Sequence, residues 1–204
     1  MNRLASPLAH CFALLLSLPV FTAFAQPTPK DVEKLMQRDF HARGQAGMER
    51  VVQDGIQRVC TETRDQPPAE LAKRLESDQA KTIAFPQGSL VGDWKSGERI
   101  AQNGRGLQWT DAPGTPNGGS CYNCHQLSPK EISYGTIGPS LAGFGAKRGS
   151  GPEMQRYVYG KIYNAKAYNL CSQMPRLGYS GTLTEQQIKD LVGLLLDPAS
   201  PVNQ

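Results

Sequence analysis

The sequence predicts a mainly α fold, with a helical N-terminal extension over residues 26–84 and a second helical domain over residues 85–204. Two observations predict it. Apolar residues recur at helical spacing in short runs separated by Gly- and Pro-bearing breaks, while strand-like alternation is scarce. A Thr-x-x-Gln cap also opens the last and most apolar of those runs.

Residues 1–25 read as an export signal: Arg3 gives a positive start, Phe12 to Phe21 form a short apolar stretch, and Ala23-Phe24-Ala25 offers small residues at a cleavage point before Gln26. Cys11 precedes the apolar stretch, which is the wrong place for lipidation at a cleavage site. In the extension, Val32, Leu35, Met36 and Phe40 mark one helix. Met48, Val51, Val52, Ile56 and Val59 mark a second, after a break around Gly44 and Gly47. Pro67-Pro68 opens a third helix through Leu71 and Leu75, since Pro fits the first turn. The apolar stripes of these helices are narrow and need a surface to cover, on this chain or on a partner.

Phe85-Pro86-Gln87-Gly88-Ser89 is the expected boundary. A short helix follows from Asp93 to Gly104, then an irregular stretch containing Gly114, Pro116, Gly118 and Gly119. Met154, Tyr157, Val158 and Ile162 mark a helix ending near Asn169. Thr184 and Gln187 cap the last one, Ile188, Leu191, Val192 and Leu195 share a face, and Asp197-Pro198 stops it.

Composition narrows the class. With 39% hydrophobic and 20% charged residues the chain reads as globular, and no apolar run reaches the roughly 20 residues of a membrane span. The net charge is +4, and loss of Arg3 with the signal leaves 21 basic against 18 acidic residues, or +3. No Lys/Arg block makes nucleic acid a leading partner. Lys147, Arg148, Lys161, Lys166 and Arg176 are expected to be solvated surface charges, with a docking face for an acidic partner as the other reading.

Cys121-Tyr122-Asn123-Cys124-His125 carries the chemistry. Two thiols three residues apart on one turn can each add to a vinyl group of a porphyrin. The histidine that follows can then reach the iron, which makes Cys-x-x-Cys-His the signature of c-type haem attachment. A zinc site would need a second ligand pair, and Cys60 and Cys171 form none. A thioredoxin-like pair would need a βαβ context that is missing. Gly138-Pro139 is placed to aim the Pro139 carbonyl at the other ring nitrogen of His125, an ordinary loop turn being the alternative.

Met174 is expected as the second iron ligand, because it sits in a loop stiffened by Pro175. Met154 reads as core, and Met36 and Met48 lie on stripes of the extension. His41 and a Cys171 thiolate are the rival ligands. A neutral thioether opposite imidazole favours Fe(II), and two protein ligands leave no open position for oxygen or substrate. That favours electron transfer over chemistry at the iron.

With Cys121–His125, Gly138-Pro139-Ser140-Leu141-Ala142-Gly143, Met174-Pro175-Arg176-Leu177-Gly178 and the last helix in this order, residues from about 90 to 197 resemble a class I cytochrome c domain. Within that class the chain is similar to the SoxX family, the monohaem cytochrome subunits of SoxAX complexes. Ile137–Leu141, the Met174–Gly178 loop and the long extension carry this narrower likeness, with Leu177 standing where an aromatic residue is common.

The resemblance assigns Cys121 and Cys124 to covalent linkage of one haem c, His125 and Met174 to the iron, and no catalytic residue. It implies a SoxA-like cytochrome subunit as heterodimer partner. The pair would act as an L-cysteine S-thiosulfotransferase, attaching thiosulfate oxidatively to a cysteine of a sulfur-carrier protein. This chain would pass the electrons to a soluble cytochrome acceptor in the periplasm, without being catalytic alone. A freely diffusing class I cytochrome c is the alternative, and a gas sensor or peroxidase with an open iron site is a third.

Cys60 and Cys171 are not needed for haem linkage and form an even pair in an oxidising compartment. A Cys60–Cys171 disulfide tying the extension to the methionine loop is the expectation; two separate buried thiols or a bridge to a partner are the other arrangements.

Overall fold

The structure is a computed structural model that describes residues 27–204. The expected export segment and its cleavage point after Ala25 lie outside the described residues. Among the described residues the chain is helical, with no strand and one isolated bridge between Arg43 and Ala46, so the expected mainly α class is the one observed.

Helix α1 spans Pro29–Asp39 and starts on a capping box in which Thr28 and Asp31 satisfy each other's backbone N–H groups. None of its residues is buried, and Val32, Leu35 and Phe40 stay exposed. The second helix differs from the expectation. Met48–Val51 forms a single 3-10 turn, and α2 spans Gly55–Glu62, opened by a capping box between Asp54 and Gln57. Helix α3 spans Ala69–Ala80 behind Pro68.

Helix α4 spans Trp94–Gln102, α5 spans Phe144–Arg148, α6 spans Pro152–Tyr163, and α7 spans Glu185–Leu196. The short α5 was not expected, and α6 ends at Tyr163 with a 3-10 turn over Ala165–Ala167 in place of a continuous helix to Asn169.

The centre of the molecule is α7, whose residues Ile188 and Leu191 to Leu196 are all buried. Helix α4 lies on it almost backbone to backbone. A Cβ at Gly97 would come 2.2 Å from the Asp190 carbonyl oxygen, and one at Gly193 would come 2.4 Å from that of Gly92. Only glycine allows so close an approach, so these positions fix the crossing. The buried Asp190 carboxylate is satisfied by the Asp93 amide at 3.0 Å and the Gln186 amide group at 2.8 Å. Helix α6 adds Val158, Tyr159 and Ile162 to the same core. Tyr159 stacks on Tyr163 and packs against Phe85, while Ile83 and Phe85 also join the core.

Candidate haem-attachment site

The attachment motif hangs from the end of α4. The amides of Gly118, Gly119 and Ser120 donate to the carbonyls of Arg105, Ile100 and Asn103 at 3.0, 2.8 and 3.0 Å. Gly118 has no room for a side chain, since a Cβ there would meet the Asn103 carbonyl oxygen at 1.9 Å. The other end of the core holds the same stretch: Gln187 donates to the Asn117 carbonyl at 2.8 Å, and Asn117 donates to the Thr182 carbonyl at 2.8 Å. Ser120 takes a left-handed conformation (φ 50°) that turns the chain into the 3-10 turn Cys121–Asn123.

Cys121 and Cys124 are both free thiols, half-buried. Cys121 packs against the core with Tyr122, and burial pushes its thiol up to about 12. His125 follows at once, its amide bonded to the Cys121 carbonyl at 2.9 Å.

The segment 135–141 runs beside the motif. Gly135 donates to Tyr122, Gly138 to Cys124 and Leu141 to Gln126, each at 2.8 Å. This places Gly138 flat against the imidazole, where a Cβ would lie 2.2 Å from Cε1 and 2.5 Å from Nδ1 of His125. The next residue supplies the orienting bond, with His125 Nδ1 2.7 Å from the Pro139 carbonyl oxygen. A carbonyl only accepts, so Nδ1 is the donor, and in the neutral ring the lone pair is then on Nε2. A histidine fixed in that tautomer is set to bind a metal through Nε2.

Met174 is half-buried against the same core as Cys121 and Tyr122. Its amide donates to Ser172 Oγ at 3.2 Å. The loop is tied firmly to the extension. Cys171 is joined to Cys60 of α2 by a disulfide (S–S 2.11 Å, Cα–Cα 5.5 Å). The Leu170 amide donates to Glu76 of α3 at 2.8 Å. Arg176 pairs with Asp54, lies within 3.5 Å of Gln79 Oε1, and stacks over Tyr179 at 4.6 Å. Burial alone would raise the Asp54 carboxyl, but the Gln57 amide and Arg176 outweigh it and hold its pKa below the usual value.

Helices α2 and α3 therefore cover this chain's own methionine loop. Of the rival ligands, His41 is exposed, and the Cys171 sulfur is bonded to Cys60 rather than available as a thiolate. Met154 packs against the core.

Of the five expected surface cations, Lys147 and Arg148 are exposed, Lys161 and Arg176 are half-buried, and Lys166 is buried. Lys166 is 6% exposed, and the Arg176 side chain is 14% exposed. Sequence reasoning missed the polar cluster around them. Asn164, fully buried, donates to Thr82 Oγ1 at 2.9 Å and Gln79 Oε1 at 3.1 Å, and accepts the Lys166 amide at 3.2 Å. Partners more than 80 residues away leave no local signature.

The donor set suits a haem: two unpaired thiols and a tautomer-fixed imidazole on one turn, with a thioether in a braced loop on the same core. Among the described residues no helix is long and apolar enough to cross a membrane.

No protein-family model matches the chain. The crystal structure of SoxXA from P. pantotrophus aligns with 58% of this chain and 95% of its own at 26% identity, with a TM-score of 0.40. An uncharacterized lipoprotein of Aquifex aeolicus (strain VF5) is 39% identical over 158 residues, 74% of this chain and 73% of that protein. At that identity and coverage, the chain belongs to the same family as the Aquifex lipoprotein.

Proposed function

We propose that this chain is an exported monohaem c-type cytochrome that transfers electrons. Cys121 and Cys124 would hold the haem, and His125 and Met174 would bind its iron. The observation that carries the reading is the Cys-x-x-Cys-His turn whose histidine is fixed by Pro139 and backed by Gly138. Bound there, the haem would supply a one-electron couple. The chain's own residues do the rest. Nδ1 of His125 donates to Pro139, which keeps the ring from rotating and leaves Nε2 as the donor atom. The bond from the Met174 amide to Ser172 and the disulfide at Cys171 restrain the loop that delivers the thioether.

The narrower assignment is to periplasmic thiosulfate oxidation, as the electron-accepting partner of a SoxA-like subunit that passes electrons on to a soluble acceptor. It rests on the sequence likeness of Ile137–Leu141 and Met174–Gly178. Export is supported by the composition of residues 1–25 and by the name of the Aquifex relative as a lipoprotein.

The test is replacement of Met174 by Ala in protein matured in a host that attaches haem c. The wild type is expected to show long-wavelength iron–thioether absorbance and to refuse carbon monoxide when reduced. Met174→Ala should reverse both. A wild type that binds carbon monoxide overturns the electron-transfer reading in favour of an open site. For the narrower assignment, affinity capture from sulfur-grown cells should retain a second haem subunit. Recovery of the chain as a monomer favours a diffusing carrier.

A further inference from the structure

Lys166 is a long, ionisable side chain that the fold has taken inside, and nothing in the haem reading requires it. Burying an ammonium is unfavourable unless its donors are satisfied. Here Nζ donates to the Leu170 carbonyl at 3.0 Å and the Ser172 carbonyl at 3.3 Å. Among the described residues no carboxylate comes within ion-pair distance of it. Burial lowers its pKa, Arg176 pushes the same way, and Asp54 and Asp65 oppose them.

The two acceptors flank Cys171 and lead directly into Met174. The Ser172 amide donates to the Asn169 carbonyl at 3.0 Å, and Ser172 Oγ accepts the Met174 amide at 3.2 Å. The loop is thus fastened from outside by α2 and α3, through the Cys60–Cys171 bridge and Glu76. Lys166 fastens it from inside. Its own backbone is fixed by the Asn164 side chain, so the ammonium is held at both ends of its stem.

We infer that Lys166 is the positioning residue for Met174, an internal strut whose two carbonyl contacts set where the thioether sits. The inference rests on Met174 as iron ligand, and it differs from the role of the disulfide. The bridge limits how far the loop can travel, whereas the lysine fixes its resting shape.

The experiment compares haem-loaded wild type, Met174→Ala, Lys166→Met and Lys166→Arg. Iron–thioether absorbance that is present in the wild type and lost in Met174→Ala establishes the ligand. Lys166→Met keeps the length of the stem but takes the ammonium donor from the buried contact at the Leu170 carbonyl and the part-buried one at the Ser172 carbonyl. It should lose about half or more of that absorbance, let the reduced protein take up carbon monoxide, and speed amide exchange at Ser172–Met174 about tenfold. Helical circular dichroism should not change, and Lys166→Arg should restore the absorbance in large part. Should Lys166→Met fail to fold, Lys166→Gln gives the same readings. Wild-type absorbance, no carbon monoxide uptake and unchanged exchange in the lysine variant overturn the inference. A wild type without the absorbance removes the ligand reading instead. The exchange rates then decide alone whether Lys166 shapes the loop.

Discussion

Replacing both Cys60 and Cys171 by Ala should remove a large part of the stability of the folded chain. The bridge joins residues 111 apart, and loop-closure entropy for that span amounts to about 5 kcal/mol at 25 °C on the chain-entropy account. Thioether links at Cys121 and Cys124 lie inside the loop and span three residues, so they do not shorten it. Domains of ordinary size are stable by roughly 5–15 kcal/mol, so the variant should be close to marginal. With a urea slope of about 2 kcal/mol/M, the unfolding midpoint should fall by about 2.5 M. The assay is urea unfolding of the wild type and the double variant in the same haem state, followed by circular dichroism and tryptophan fluorescence. A loss below about 1 kcal/mol would refute the reasoning: either the unfolded chain is no more restricted with the bridge than without it, or the bridge does not form.

Two further outcomes follow from the site. Gly138→Ala puts a methyl 2.2 Å from the His125 ring, so it should destabilise the protein by about 1–3 kcal/mol and shift the haem spectrum, as read by urea unfolding and absorbance. Asp54→Asn keeps the helix cap but loses the charge facing Arg176. The Asp54 carboxyl is lowered in the fold, so its contribution is fully present above about pH 4 and is lost as pH falls through the lower folded value. The difference in urea midpoint between wild type and Asp54→Asn should close over that acid range. A gap that stays constant down to pH 2 contradicts it.

What could be read from the residues alone was what local chemistry encodes. The Thr184–Gln187 box was legible because cap and partner lie three residues apart, and the structure forms both of its bonds. The same pattern at Asp54–Gln57 was equally available, and reading it would have placed the start of α2 correctly in place of a helix running from Met48. Five residues are too few for helical periodicity to mark α5. The Cys121–His125 motif supports a haem-attachment proposal from sequence alone because that chemistry would fix its spacing. Lys166 was misread as a surface charge because lysine is rarely buried, and its burial depends on how the extension packs over residues 164–176. Helices α2 and α3 are fastened to this chain's own methionine loop by the Cys60–Cys171 bridge and the Glu76 carboxylate.

The most direct measurement of the central claim is the intact mass and free-thiol count of the chain purified, unreduced, from the periplasm of a host that matures haem c. The account predicts a coloured protein, heavier than the processed chain by one haem, with neither Cys121 nor Cys124 open to alkylation. A colourless protein of unmodified mass in which both thiols react would contradict it.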